Sequence, residues 1–213
     1  MAKKVNLKKK LKRKRKTEIA EGKKQRTVKI IVGLITAFLM ASSILMFAGN
    51  KPSSPYVFNK HHFEHKNNLW VTKINGQEKT FYYFPSMLTS INCTPLAKDR
   101  VLNSKYVLIT FDPVNDSQYM LQAMDAVRFS LFNALSSQNV QVGMGIVHES
   151  PFYNLTVINC SESSQYIPVV ELRKGNETRI FMNDSCIILE ATTPAEMLAV
   201  GDRFLYSIYG VMN

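Results

Sequence analysis

Three side chains at the ends of apolar runs are the ones that could do chemistry: Asp112, His148 and Cys160. Asp112 follows the run YVLITF and precedes Pro113. At the carboxyl end of a central strand, where open α/β sheets place ligands, its carboxylate would serve as a base or a metal ligand. Before a proline it reads first as a turn cap. Cys160 sits in Asn159-Cys160-Ser161-Glu162, a second strand-end loop. As a nucleophile it needs a base and a lowered pKa, and His148 is the conceivable partner.

As a structural residue, Cys160 needs only another cysteine. The chain has three, Cys93, Cys160 and Cys186, with no CxxC among them. The arithmetic is one pair and one leftover, with three pairings open. Cys160–Cys186 is favoured, because both residues flank strands of one region. Closing that loop of about 27 residues would contribute about 3–4 kcal/mol by chain entropy. Cys93 is then expected to be buried or to join two subunits.

His61, His62, Glu64 and His65 read HHxEH. On a helix, His61 and His65 would share a face and could hold a transition ion, but no fourth ligand lies in sequence reach. Asp202-Arg203 reads as a surface or local ion pair. No dinucleotide fingerprint, P-loop, HExxH or GxSxG occurs, and no cofactor is expected.

The elements that must position these residues read as α/β. Leu69–Ile74 and Glu78–Phe84 flank Asn75-Gly76, a strong hairpin signal, with Trp70, Ile74, Phe81 and Tyr83 as its apolar face. Residues 85–104 read as a short helix and loops. Tyr106–Phe111 is apolar on both faces and reads as a buried central strand. Asp116 can cap a helix to Leu135, with Met120, Met124, Val127, Leu131 and Leu135 as the inward stripe. Val140–Val147 completes a βαβ unit whose crossover should be right-handed. Leu155–Ile158 is a short strand, and 161–166 a helical turn. Pro168–Arg173 and Thr178–Met182 flank Gly175-Asn176 as a second hairpin, and Cys186–Glu190 is a further strand. Thr193-Pro194-Ala195-Glu196 is a capping box opening a helix to Tyr209, with Gly210 beyond its end. The expected fold is a mixed sheet covered by helices, preceded by a β-hairpin and a single N-terminal transmembrane helix.

The order from 106 to 210 resembles the thioredoxin-like fold: a βαβ unit, an irregular stretch, Ile167-Pro168 leading a hairpin, and a terminal helix. Ile167-Pro168 with VVELRKGNE is similar to that family's cis-proline strand and glycine turn. Asp112-Pro113-Val114-Asn115 stands where its CxxC would be, so the resemblance implies a fold and no redox role. The extra strand Cys186–Glu190 also fits a small doubly wound sheet.

Topology rests on charge and hydropathy. The chain of 213 residues is 46% apolar and 20% charged, ordinary for a globular protein, and its net charge is +11. That charge is confined to one end. Residues 1–29 hold 14 Lys/Arg against 2 Asp/Glu, and the remainder 13 against 14. Ile30–Ala48 is uncharged and, at about 1.5 Å per residue, long enough to span a bilayer. It is longer than a typical cleaved signal and lacks a small residue at the expected cleavage position, so it reads as an uncleaved signal-anchor. The basic flank places residues 1–29 in the cytoplasm and 49–213 outside. Residues 49–68 read as a polar spacer, and 69–213 as the outer α/β domain. The expected partners are the bilayer, anionic headgroups at the basic tail, and a protein partner or second copy. Nucleic acid is disfavoured beyond non-specific phosphate contact by residues 3–16.

Six N-x-S/T sequons follow the anchor, at Asn92, Asn115, Asn154, Asn159, Asn176 and Asn183. Together they argue for a glycosylating compartment and an archaeal or eukaryotic host. Two functions remain. One is a membrane-tethered extracytoplasmic domain with a non-catalytic binding or assembly role. The other is an extracytoplasmic thiol-dependent or hydrolytic enzyme using Cys160 or Asp112.

Overall fold

The computed structural model describes residues 56–113 and 117–213, all in the unit Ser54–Asn213. The basic tail, the apolar run Ile30–Ala48, the start of the spacer, and residues 114–116 with the sequon Asn115 lie outside the described residues. Among the described residues, no helix is long and apolar enough to cross a membrane.

β1 (Tyr56–Phe58), β2 (His61–Lys66), β3 (Leu69–Ile74) and β4 (Gln77–Phe81) form an antiparallel meander in chain order. Each turn has two residues, Asn59-Lys60, Asn67-Asn68 and Asn75-Gly76, and all six have positive φ. That is the backbone that matches the right-handed twist of paired strands. The stretch expected to be a spacer as far as 68 therefore joins the sheet at Tyr56. The reason is alternation: Tyr56, Phe58 and Phe63 share a face with Trp70 and Phe81. The Tyr56 ring meets Trp70 edge-on at 5.0 Å, and Phe63 meets Phe84 at 5.2 Å.

A 3-10 turn at Pro85–Leu88 and helix α1 (Pro95–Leu102) lead to the second sheet. There follow β5 (Tyr106–Phe111), α2 (Gln118–Ser136), β6 (Gln141–Ile146), β7 (Thr156–Val157), β8 (Val169–Lys174), β9 (Arg179–Asn183), β10 (Cys186–Ala191) and α3 (Pro194–Ile208). The order is β7-β6-β5-β8-β10-β9, parallel except for β9 against β10. A mixed sheet with helical cover is thus observed, and β5 lies in its interior.

Local chemistry explains the helices. Ser117 caps α2 by accepting the Met120 N–H at 3.2 Å, the expected cap Asp116 lies outside the described residues, and the whole expected stripe from Met120 to Leu135 is buried. Thr193 and Glu196 close the capping box of α3, and Gly210 follows the helix at φ +72°.

The second hairpin does not form. β10 inserts between β8 and β9. All six residues of β10 are buried, so it takes an interior place, and the more polar β9 is pushed toward the edge. Backbone bonds from Ile180 to Asn92 and from Thr94 to Ile180 cover that edge, which blunts pairing with other chains. No peptide bond is cis among the described residues, Ile167–Pro168 included. β8 runs parallel to β5.

Alternation along the strands separates two layers of apolar packing. Val107, Ile109, Phe111, Val170, Leu172, Ile187 and Leu189 join the buried residues of α2 and α3 in the main core. Leu108, Val169, Cys186 and Ile188 face the other way and form a small cluster with Ile158, Cys160 and Phe181. An irregular strap, residues 158–168, crosses this second face.

Candidate functional site

The strap is fixed at three levels. At the top, the fully buried Thr110 donates its hydroxyl to the Ile158 carbonyl at 2.8 Å. In the middle, a 3-10 turn at Cys160–Glu162 is joined to β10 by the Cys160–Cys186 disulfide, with Cα atoms 5.3 Å apart. At the bottom, Val169 donates its N–H to the Ser163 hydroxyl at 3.0 Å. Gly143 and Gly145 of β6 keep this face low. A Cβ at Gly143 would lie 2.8 Å from Leu108, and one at Gly145 would lie 2.6 Å from Ile158.

Beside the disulfide stands Glu171 of β8. Its Oε2 lies 3.0 Å from Cys160 Sγ, and its register partner on β5 is Thr110. Burial raises the Glu171 carboxyl above its ordinary range. Arg173 pulls it down, Asp112 pushes it up and His148 pulls it down. One ligand atom each from Cys160, Glu171 and Cys186 lie within 4.8 Å of one another. Two thiolates and a carboxylate at that spacing could hold a soft cation, but the disulfide removes both thiolates.

Asp112 and His148 extend from the carboxyl ends of β5 and β6, with Asp112 Oδ1 and His148 Nδ1 3.3 Å apart. His148 therefore turns to Asp112 and away from the role expected with Cys160. Cys160 is committed to the disulfide, so it is not a standing nucleophile. An oriented imidazole beside a carboxylate is a geometry suited to general-base work. His148 is exposed and Asp112 is half-buried.

Further along the same face runs a charged ladder that sequence reading did not single out. Arg173 donates to Glu190 Oε2 through Nε at 3.1 Å and Nη2 at 2.7 Å, and Arg179 approaches Oε1 at 3.7 Å. Burial pushes the Glu190 carboxyl up, but the two arginines outweigh it and hold the group below its usual range. Both guanidiniums lie over the Phe181 ring, at 5.4 and 4.5 Å. The signal was present in VVELRK. Val169, Glu171 and Arg173 alternate with Val170 and Leu172, which marks a face that no α-helix among the described residues covers.

The other candidates move apart. His61 and His65 lie on strand β2, not on a helix. Four residues along a strand span about 13 Å, so the pair cannot share one ion, and His65 instead packs on Trp70 at 4.8 Å. Beside them, on the outer side of the meander, an open groove of about 340 Å³ is lined by Lys60, His62, Glu64, Lys66, Lys73 and Glu78 among others. Asp202 and Arg203 are buried and do not pair with each other. Asp202 accepts two backbone N–H groups, and Arg203 donates to the Asn213 carbonyl at 2.6 Å. Cys93 is half-buried and unpaired, and burial raises its thiol pKa. Of the five described sequons, Asn92, Asn154, Asn176 and Asn183 are exposed and Asn159 is half-buried.

Comparison of the chain with protein-family models, with curated proteins and with solved structures finds no match in any of the three.

Proposed function

We propose that the chain is a membrane-tethered domain displayed outside the cytoplasm, anchored by Ile30–Ala48, with a non-catalytic binding or assembly role. The observation that carries this reading is the Cys160–Cys186 disulfide. Such bonds persist in oxidising compartments. Surface exposure of four sequon asparagines is consistent with the same compartment, since an attached glycan needs open solvent. The binding role draws support from the second sheet face. Among the described residues no α-helix covers it, and it presents Arg173, Arg179 and Phe181 around Glu190. Arginine and aromatic side chains are enriched at protein interfaces. Of the two finer fold classes, the parallel β5–β8 pairing favours a small doubly wound order over the thioredoxin-like one.

The test is mass spectrometry of the native protein, intact and after reduction, with crosslinking in its own membranes. The expected result is an uncleaved N-terminus, one disulfide, glycans on the outer domain, and a crosslinked partner or second copy. A chain without glycans and cleaved after Ala48 would overturn the topology. A monomer without crosslinks would overturn the binding role.

The second reading, an enzyme, is favoured only by the Asp112–His148 pair. It predicts turnover of an ester or amide probe that is lost in Asp112→Asn.

A further inference from the structure

We propose that the Cys160–Cys186 disulfide is a reactive thiol-exchange site, attacked at Cys160, with Glu171 as the proton donor to the departing sulfur. This goes beyond the binding role and does not depend on the anchor.

Three observations converge on it. The two sulfurs are unequal: Cys160 is partly exposed and Cys186 is 1% exposed. An incoming thiolate therefore reaches Cys160, and Cys186 is the leaving group. Second, a carboxyl stands against the bond. Glu171 Oε2 is 3.0 Å from Cys160 Sγ, and a Glu171 carboxylate oxygen lies within 4.8 Å of Cys186 Sγ. A disulfide has no S–H to donate, so an ionised carboxylate there would face a sulfur that offers it nothing. A protonated carboxyl is the form that suits the oxidised state. Third, the bond clamps the middle of the strap, while Thr110 and Ser163 hold its two ends independently. Opening the bond therefore frees the turn Cys160–Glu162 without detaching the strap.

The groups facing Glu171 set its proton affinity. Arg173 lies on its own strand, Asp112 at the end of β5 and His148 at the end of β6. β10 contributes Cys186 and the uncharged Ile188, and the 3-10 turn contributes Cys160.

The exchange balances with an external dithiol as reductant. One thiolate of the dithiol forms a bond to Cys160 Sγ. The S–S bond to Cys186 breaks, its electron pair goes to Cys186, and Glu171 delivers a proton there. The second thiolate of the dithiol then displaces Cys160, which takes a proton from solvent. The dithiol leaves as a disulfide, two electrons poorer, and the protein holds two thiols. The Cys160 thiol can then donate to the Glu171 carboxylate along the existing 3.0 Å line.

The experiment uses the full-length chain in detergent, treated with dithiothreitol at several pH values and quenched with a maleimide that adds mass to free thiols. Cys93 provides the constant baseline. Reduction is expected while circular dichroism still reports the folded state. Glu171→Gln should slow it about a hundredfold at neutral pH, at the low end of general-acid effects. The ratio of wild-type to variant rate should fall as pH rises and Glu171 ionises, which a merely structural residue would not produce. Should Glu171→Gln fail to fold, the wild type still decides: brief treatment with excess glutathione should place the mixed disulfide on Cys160 and leave Cys186 free. Reduction only at the rate of global unfolding, equal rates in the variant at every pH, or glutathione found on Cys186 would each overturn the proposal.

Discussion

The Asp202 carboxylate accepts the backbone N–H of Tyr82 at 2.6 Å, so a side chain of the last helix fastens the end of the N-terminal meander. The same oxygen takes the Tyr83 N–H at 2.8 Å. Tyr206, one turn further along α3, donates its hydroxyl to the Tyr83 carbonyl at 2.8 Å and stacks on Phe81 at 4.1 Å. Burial pushes the Asp202 carboxyl up to about 7, against the downward pull of the two N–H groups. A carboxyl with a raised folded-state pKa contributes stability that is complete below its unfolded value, about 4, and is lost as pH rises through about 7. Asp202→Asn keeps the acceptor and removes the charge. Urea titrations should show wild type losing a few kcal/mol relative to Asp202→Asn between about pH 4 and pH 8. Asp202→Ala should be about 2–4 kcal/mol less stable than Asp202→Asn at every pH, because the Tyr82 and Tyr83 amides lose their acceptor. Parallel pH profiles for wild type and Asp202→Asn would show that Asp202 stays ionised throughout.

That fastening shows where reading from sequence stopped. Period and punctuation gave the local elements: Asn75-Gly76 turns a hairpin, the Met120–Leu135 stripe is buried, and Thr193 with Glu196 caps α3. Asp202-Arg203 looked like a surface pair because adjacent charges on a helix usually are. Its burial depends on a meander whose end lies 120 residues earlier, and no local pattern encodes that. β10 was readable as a strand, but its insertion between β8 and β9 follows from competition for the interior, a global property. Glu171 was visible, yet its approach to Cys160 needs the strap to cross the sheet. The Cys160–Cys186 pairing was accessible because compactness alone narrows three choices.

Gly201 of α3 lies against Val127 of α2. A Cβ there would approach Val127 Cγ2 at 2.5 Å. Gly201→Ala gains about 1 kcal/mol of helix propensity and suffers overpacking of typically 1–3 kcal/mol. The net expectation is a loss of about 1 kcal/mol by chemical denaturation. Val127→Ala on that background should recover part of it, because the new methyl group fills the space vacated. Additive losses in the double variant would mean that the helices do not touch here.

Arg128 is buried under the end of β5. Its guanidinium lies 2.7 Å from Asp125 and over the Phe111 ring at 4.8 Å, and Tyr153 donates its hydroxyl to Asp125 at 3.1 Å. Asp125→Ala strands a buried charge and should cost about 3–5 kcal/mol. Asp125→Ala combined with Arg128→Met removes both charges and should regain most of that loss. Thermal melts of the two variants decide it, and equal destabilisation would show that Arg128 finds water or another partner.

The five described sequons are not equivalent, and site-by-site glycopeptide mapping should show it. Asn92, Asn154, Asn176 and Asn183 are open to solvent. Asn159 is half-buried, its Oδ1 accepts the Ser161 N–H at 2.9 Å, and its neighbour Cys160 is tied to β10. Modification there requires the segment to be free when the glycan is transferred, so the closed disulfide should leave Asn159 the least modified of the five. Cys186→Ala removes the tie and should raise occupancy at Asn159 several-fold, with the four exposed sites unchanged. Full occupancy of Asn159 in the oxidised wild type would mean that transfer precedes closure of the disulfide, and the clamp would then have to form around an attached glycan.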